Sequence, residues 1–139
     1  MVLDAGTGTQ LWTYLAGNSV YSSPAVADGV LYVGCDDFNV YALDARRGAK
    51  LWSCTTRGYI GWSSPAVANG VVYVGSHDGH TYALNAKTGA KLWAYSTNGI
   101  INSSPAVARF LFRPFDASKA HDAGDHVDSL KNDGIHKMQ

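Results

Sequence analysis

The stretch from Ser63 to Trp93, SSPAVANGVVYVGSHDGHTYALNAKTGAKLW, decides how the chain folds. Nearly the same string occurs one unit earlier, from Ser22 to Trp52: SSPAVADGVLYVGCDDFNVYALDARRGAKLW. Two partial copies flank the pair, LDAGTGTQLW at residues 3–12 and INSSPAVA at residues 101–108. Equivalent residues recur every 40 or 41 positions, as Trp12, Trp52 and Trp93 do. A fixed period of about 40 residues is typical of repeat architectures.

Each full copy contains four short apolar runs separated by turn residues. Asp28-Gly29 and Asn69-Gly70 lie between runs rich in valine and tyrosine, and such dipeptides favour tight hairpins. Four antiparallel strands in about 40 residues form one blade of a β-propeller. We therefore predict an all-β fold of four-stranded antiparallel meanders that make an incomplete propeller. A single β-sandwich, the competing architecture, would not need the same residues at the same offsets.

The repeat also predicts the division of the chain. We expect full blades at about 22–57 and 63–97, and partial blades at 1–15 and 101–108. After Ala108 the pattern stops, and residues 109–139 are predicted to be a divergent polar tail, irregular or partly helical. This tail is either a poorly ordered or out-of-register segment, or a functional appendage.

Composition excludes some classes of function. Lysine plus arginine equals aspartate plus glutamate at 11 each, without a basic cluster, so no nucleic-acid partner is expected. No apolar run reaches the roughly 18 residues of a membrane-spanning helix, and the N-terminal residues do not resemble a secretory signal. Cys35 and Cys54 occupy different positions in the repeat, which leaves both a disulfide and two buried free thiols open.

The end of each copy resembles a known motif. Residues 42–52 and 83–93 resemble the tryptophan-docking motif AxDxxTGxxxW of pyrroloquinoline-quinone-like (PQQ-like) propeller repeats. Asn85 replaces the motif's aspartate in one copy, and Arg47 replaces its threonine in the other. The resemblance extends over residues 1–108. It implies that each tryptophan docks between blades, next to the glycine and aspartate of its own motif. The structural residues implied are Trp12, Trp52, Trp93, Asp44, Gly48, Asn85 and Gly89.

Two groups of residues are candidates for metal or ligand binding. In the tail, His121 with Asp125 and Asp122 with His126 would share a helix face and could bind a transition metal, but a solvated polar segment is the favoured explanation, since Gly124 interrupts the helix. In the blades, His77 and His80 flank a turn whose counterpart carries Asp36, Asp37 and Asn39. Turn formation explains these residues, and the two aspartates lack the spacing of a calcium loop. No catalytic residue and no metal ligand is assigned.

The resemblance implies three possible functions. The first is a non-catalytic scaffold for protein interaction or assembly, with a protein partner or self-association through exposed blade faces and with no cofactor. The second is a fragment of a quinoprotein alcohol or sugar dehydrogenase that needs PQQ and calcium. The third is a truncated gene product without function. Enzymatic activity stays undecided between these hypotheses, with the first favoured. The resemblance implies a periplasmic or other extracytoplasmic location.

Overall fold

The computed structural model describes residues 1–108, and within them every regular element is a β-strand. The ten strands are β1 (Val2–Leu3), β2 (Gln10–Trp12), β3 (Ala25–Ala27), β4 (Val30–Gly34), β5 (Asn39–Asp44), β6 (Lys50–Thr55), β7 (Ala66–Ala68), β8 (Val71–Gly75), β9 (His80–Asn85) and β10 (Lys91–Ser96). The predicted all-β class is confirmed. The predicted tail at 109–139, with its His121–His126 cluster, lies outside the described residues.

The strands form three antiparallel sheets. Strands β3 to β6 make one four-stranded meander, in which each strand pairs with the next along the chain, and β7 to β10 make a second with the same order. Strands β1 and β2 form a two-stranded sheet. The prediction of four-stranded antiparallel meanders is therefore confirmed. We call the two larger sheets blade 1 and blade 2.

The first hairpin of each blade is set by its turn residues. Asp28 and Gly29 have φ values of 50° and 75°, and Asn69 and Gly70 have 51° and 74°. Two consecutive positive φ values define the type I′ turn, whose twist matches that of the flanking strands. The turns place Ala25 opposite Tyr32 in blade 1 and Ala66 opposite Tyr73 in blade 2. Equivalent side chains therefore lie at equivalent places on the two blades.

Blade 1 carries apolar side chains on both faces, and a neighbouring sheet covers each face. On one side, Tyr32 and Val40 belong to a buried cluster with Val72 and Tyr82 of blade 2. On the other side, Leu31, Val33 and Leu43 form a second cluster, against which Val2 and Trp12 of the β1–β2 sheet pack. Successive residues of a strand point to opposite faces of its sheet. A strand covered on both faces therefore reads as a continuous apolar run, as VLYVG in β4 does.

A glycine ends the second strand of each blade because a side chain lies directly against it. A Cβ atom on Gly34 would overlap Cγ2 of Ile60, and one on Gly75 would overlap Cγ2 of Ile101. Ser22 Oγ binds both polar groups of Gly34, accepting from its N–H at 2.9 Å and donating to its carbonyl at 3.0 Å. Ser63 Oγ likewise accepts from Gly75 N at 2.8 Å. The connection before the first strand of each blade, β3 or β7, is thereby fastened to its own blade.

Replacing Gly34 by alanine tests this packing. Overpacking of the Ile60 site should lower the free energy of unfolding by roughly 1–3 kcal/mol, and Ile60→Ala alone should cost roughly 2–5 kcal/mol. Because alanine at 60 removes the methyl group that the new Cβ would meet, the double variant should lose less than the sum of the two single losses. Urea unfolding of the four proteins measures the coupling, and strictly additive losses would contradict the contact.

Candidate functional site

The seams between consecutive sheets contain the most regular side-chain contacts of the structure. A seam is defined here as the contact between the last strand of one sheet and the next sheet. At the first seam, Trp12 Nε1–H donates to the carbonyl of Ala45 at 3.1 Å. At the second, Trp52 Nε1–H donates to the carbonyl of Ala86 at 2.9 Å. The indole is thus the same kind of link in both seams, with its one donor satisfied.

Each indole lies on a glycine of the next sheet. A Cβ on Gly48 would come within 2.5 Å of Trp12 Cε3, and one on Gly89 within 2.7 Å of the Trp52 ring. Both glycines have positive φ, 68° and 73°. Glycine is required at these positions for two reasons, since the backbone is left-handed and the ring leaves no room for a side chain.

The aspartate or asparagine of each motif shapes its own turn. Asp44 Oδ1 accepts hydrogen bonds from the N–H groups of Arg46 and Arg47, at 2.9 and 3.0 Å. Asn85 Oδ1 accepts the same two bonds in blade 2, from Lys87 and Thr88. Only an oxygen acceptor is needed here, which explains why an amide can replace the carboxylate.

The resemblance associated each tryptophan with the glycine of its own motif, and the structure places it differently. The glycine below each ring belongs to the following motif, so Trp12 lies on Gly48 and Trp52 lies on Gly89. The contact joins residues more than 30 positions apart in sequence. Motif spacing alone therefore could not show which copy supplies the glycine.

Trp93 packs against a tyrosine of its own blade as Trp52 does, but within residues 1–108 no turn of a following sheet lies on its ring. Its ring centroid lies 5.9 Å from that of Tyr73, as the ring of Trp52 lies 5.8 Å from that of Tyr32. Unlike Trp52, however, Trp93 is 48% exposed. Within residues 1–108 its indole N–H has no acceptor.

An aspartate crosses each seam at the opposite end of the strands. Asp37 Oδ2 accepts from Gly17 N at 3.0 Å and from Tyr41 Oη at 2.5 Å. Asp78 Oδ2 accepts from Arg57 N at 3.0 Å and from Tyr82 Oη at 2.6 Å. Gly17 and Arg57 follow the last strand of the preceding sheet, so each carboxylate joins two sheets.

Hydrogen bonding determines the ionisation of these groups. Burial by itself would raise the pKa of the Asp78 carboxyl, but the bonds from Tyr82 and Arg57 outweigh it and hold that pKa below its usual value. The same balance lowers the pKa of Asp37. Burial, together with the bond to Asp78, raises the pKa of Tyr82 to about 12. Near neutral pH each pair is an ionised carboxylate that accepts a hydrogen bond from a neutral phenol.

Serines link the innermost segments. Ser23 N donates to Ser64 Oγ, and Ser64 N donates to Ser104 Oγ, each at 2.9 Å. Sequence reasoning did not assign a role to these serines. The signal was present as the Ser-Ser-Pro that begins all three copies.

The candidate ligand residues of the blades form hydrogen bonds within the turns and across the seams. His77 Nε2 lies 2.6 Å from Asn102 Oδ1, and His80 Nδ1 lies 3.2 Å from Asp78 Oδ1. Asp36 Oδ1 accepts from Gly61 N at 3.0 Å, and Asn39 bonds to Asp37. No group of three His, Cys, Asp or Glu side chains suited to a metal occurs within residues 1–108. Turn formation and seam contacts account for all five candidates.

Both cysteines carry free thiols. Cys35 is fully buried and donates to the carbonyl of Asn18 at 3.4 Å. Burial raises the pKa of both thiols, which keeps them in the unreactive protonated form. Of the two alternatives that the sequence left open, the structure has the free thiols.

Exposed aromatic rings occur in the connections that precede β3 and β7 and in the β4–β5 turn, a feature that sequence reasoning missed. Tyr21 and Trp62 stack with ring centroids 6.0 Å apart, and they are 59% and 68% exposed. Tyr59 contacts Phe38 with centroids 4.9 Å apart. Thr56 N donates to the Phe38 carbonyl, which brings the β6–β7 connection to the β4–β5 turn. We call Tyr21, Phe38, Tyr59 and Trp62 the aromatic surface.

Comparison with known proteins gives the relatives of this chain. The family described as outer membrane protein assembly factor BamB has a model that matches residues 1–119. No curated protein sequence matches the chain significantly. No helix capable of spanning a membrane occurs in the described part of the chain.

Solved structures of PQQ-type propellers share the fold. BamB from Moraxella catarrhalis is 25% identical with a TM-score of 0.60, over 66% of this chain and 28% of that one. The quinohemoprotein alcohol dehydrogenase ADHIIG from Pseudomonas putida HK5 is 32% identical with a TM-score of 0.59, over 66% of this chain and 16% of that one. The quinohemoprotein alcohol dehydrogenase from Comamonas testosteroni is 31% identical with a TM-score of 0.52, over 58% and 13%. The chain therefore matches less than a third of the length of each of these relatives.

The indole–glycine contact can be isolated with two matched glycines. Gly89→Ala and Gly70→Ala both place alanine at a φ near 74°, but only Gly89 lies under an indole, and a Cβ on Gly70 meets nothing within 4 Å. The strain of positive φ is common to both, so Gly89→Ala should be less stable than Gly70→Ala by roughly 1–3 kcal/mol. Denaturant unfolding measures the difference. Equal losses would show that the ring does not constrain position 89.

Acid should weaken the seam through Asp78. A carboxyl whose pKa is lowered on folding stabilises the folded state above its unfolded pKa of about 3.9, and this stabilisation is lost as the pH falls through the lowered value. Asp78→Asn should therefore lose less stability than the wild type between about pH 5 and pH 3. Asp28→Asn is the control, because the Asp28 side chain makes no hydrogen bond within residues 1–108. Urea midpoints across this pH range test the prediction, which fails if both variants follow the wild type.

Proposed function

Because the chain belongs to the family described as outer membrane protein assembly factor BamB, we propose that it is a non-catalytic scaffold that binds another protein. The observation that carries this proposal is the aromatic surface. Its four side chains are 37% to 68% exposed and lie in the connections between strands. Large aromatic side chains dominate the binding energy of protein interfaces, since each buries a large apolar area and loses little conformational freedom.

The aromatic surface is held on a rigid base. Ile60 and Ser63 are both fully buried, and they alternate with the exposed Tyr59 and Trp62. The backbone between them is fastened where Gly61 N donates to Asp36 Oδ1. Rings that are already ordered lose less entropy when a partner binds, which increases affinity for a given contact area. A partner that fits would present an apolar or extended segment to the stacked Tyr21 and Trp62.

We propose an extracytoplasmic location for this scaffold. The support is the description of the family, which names an assembly factor of the outer membrane. The free thiols of Cys35 and Cys54 are compatible with such a compartment, because burial protects Cys35 from oxidation.

A quinoprotein dehydrogenase is the second candidate, and the two quinohemoprotein relatives at 31% and 32% identity favour it. Such an enzyme would need oxygen ligands for calcium. The carboxylates of Asp37 and Asp78 do not fit this need, because each already accepts N–H and O–H donors that a cation would repel. The scaffold function is therefore the better supported of the two.

Trp62→Ala tests the scaffold function. The full chain would be immobilised, proteins retained from a bacterial envelope extract would be identified, and the affinity of each purified partner would be measured. Loss of a central aromatic anchor should raise the Kd at least about tenfold. Leu51→Ala is the control, since Leu51 is 53% exposed but lies by the turns at the other end of the strands. It should change the Kd less than about threefold.

Two outcomes would contradict the scaffold proposal. One is that Trp62→Ala and Leu51→Ala weaken every retained partner equally, which would mean that the aromatic surface is not the binding site. The other is alcohol-dependent dye reduction by the purified chain with added PQQ and calcium, which would support the dehydrogenase candidate instead.

A further inference from the structure

We propose that a second copy of this chain docks on blade 2 in a head-to-tail manner, with Trp93 of one copy seated on the turn Asp4–Gly8 of the other. The contact would be a third seam, built like the two that already exist within the chain. It makes the expectation of self-association specific to one pair of surfaces and does not depend on the aromatic surface.

Trp93 already has the geometry of a docked indole. Its distance from Tyr73, 5.9 Å between centroids at an interplanar angle of 49°, matches the 5.8 Å and 45° of Trp52 and Tyr32. In the existing seam, Trp52 Nε1 and Tyr32 Oη both donate to the carbonyl of Ala86, at 2.9 and 3.2 Å. Trp93 and Tyr73 therefore present the same two donors, ready for a carbonyl that residues 1–108 of their own chain do not supply.

The turn Asp4–Gly8 has the geometry of the surface that receives an indole. Asp4 Oδ1 accepts from Gly6 N and Thr7 N at 3.0 and 2.8 Å, as Asp44 and Asn85 accept in their turns. Gly8 N donates to the Asp4 carbonyl at 2.8 Å, and the φ of Gly8 is 70°. The turn Asp4–Gly8 differs from the other two turns in that no indole lies on its glycine. The rings of Trp12 and Trp52 cover Gly48 and Gly89, whereas a Cβ on Gly8 would meet nothing within 4 Å.

Two serine groups without a hydrogen-bond partner within residues 1–108 also fit this docking. Ser23 N donates to Ser64 Oγ, and Ser64 N donates to Ser104 Oγ. Within residues 1–108, Ser104 N has no acceptor and Ser23 Oγ has no donor. If Trp93 of one copy sits on Asp4–Gly8 of another, blade 1 of that second copy comes next in the ring. Ser104 N of the first copy would then meet Ser23 Oγ of the second, in the same register as the two existing links.

The number of blades fixes the number of copies. Between Trp93 and the next blade 1, the segment 101–108 of one copy and the β1–β2 sheet of the other would share one blade position. Residues 1–108 of each copy, the part that the structure describes, therefore contribute three positions to the ring. Two copies give six blades, within the range of about 4–8 for closed propellers, whereas three copies give nine. A head-to-tail contact that closes after two copies makes a discrete dimer.

Sedimentation equilibrium of the purified 139-residue chain tests the proposal. The wild type should sediment at twice the 14.8 kDa mass of one chain. Trp93→Ala removes the indole, and Gly8→Ala places a methyl group where the indole would lie, so each should raise the dimer Kd at least about tenfold. Gly70→Ala, at an equivalent φ but away from both surfaces, should leave the Kd within about threefold of the wild type. Circular dichroism confirms that the variants fold.

Mixing two variants distinguishes this contact from other modes of association. A Trp93→Ala chain and a Gly8→Ala chain can form one intact seam, from the Trp93 of the second to the Gly8 of the first. An equimolar mixture should therefore dimerise more tightly than either variant alone, and the tryptophan emission of the mixture should lie at shorter wavelength than the average of the two separate variants, because Trp93 of the Gly8→Ala chain becomes buried. A monomeric wild type, or variants that dimerise as the wild type does, would overturn the proposal. So would a mixture no tighter than its components.

The two proposals fail separately. Trp62→Ala should leave the dimer Kd unchanged, because the aromatic surface takes no part in the third seam. If the chain is a monomer and Trp62→Ala still weakens partner binding, only the dimer proposal is refuted. If the chain dimerises but Trp62→Ala leaves partner binding unchanged, only the scaffold proposal is refuted.

Discussion

The contact between an indole and the turn of the following sheet is the interaction on which this structure depends. A four-stranded sheet with two apolar faces cannot bury both by itself and is stable only between neighbours. Trp12 and Trp52 join neighbours with one hydrogen bond and one close ring contact each. The constraint acts in both directions, since the ring requires a glycine below it, and the turn around that glycine requires an oxygen acceptor, supplied by Asp44 or Asn85.

The seam between blade 1 and blade 2 has three kinds of link at different places along the strands, and the first seam has two of them, the indole and the carboxylate. The indole meets the turn at one end, the carboxylates of Asp37 and Asp78 accept backbone N–H groups at the other, and the serines join the innermost segments. Polar residues that a sequence presents as ligand candidates therefore hold sheets together. Donors surround both carboxylates, which stabilises their charge and leaves them poorly suited to a cation.

The seams and the exposed surfaces have different consequences for function. The seams fix the positions of the blades, and this in turn holds the connections that carry Tyr21, Tyr59 and Trp62 at the surface. Binding through such rings needs a rigid base rather than a reactive group. In the proposed dimer, the half-exposed Trp93 of one copy and the uncovered Gly8 of the other are the two halves of a third seam, which is separate from the aromatic surface.

The sequence by itself determined the all-β class, the strand order of each blade and the residues of the turns. These follow from local rules, because Asp-Gly and Asn-Gly turns and β-branched runs act within a few residues of each other. Only the tertiary structure decided that Trp12 lies on Gly48, that Ser23 bonds to Ser64, and that Trp62 stacks on Tyr21. These pairs are more than 30 residues apart, and every copy of a repeat offers the same chemical groups. Which copy meets which depends on how the sheets pack, and residue spacing does not contain that information.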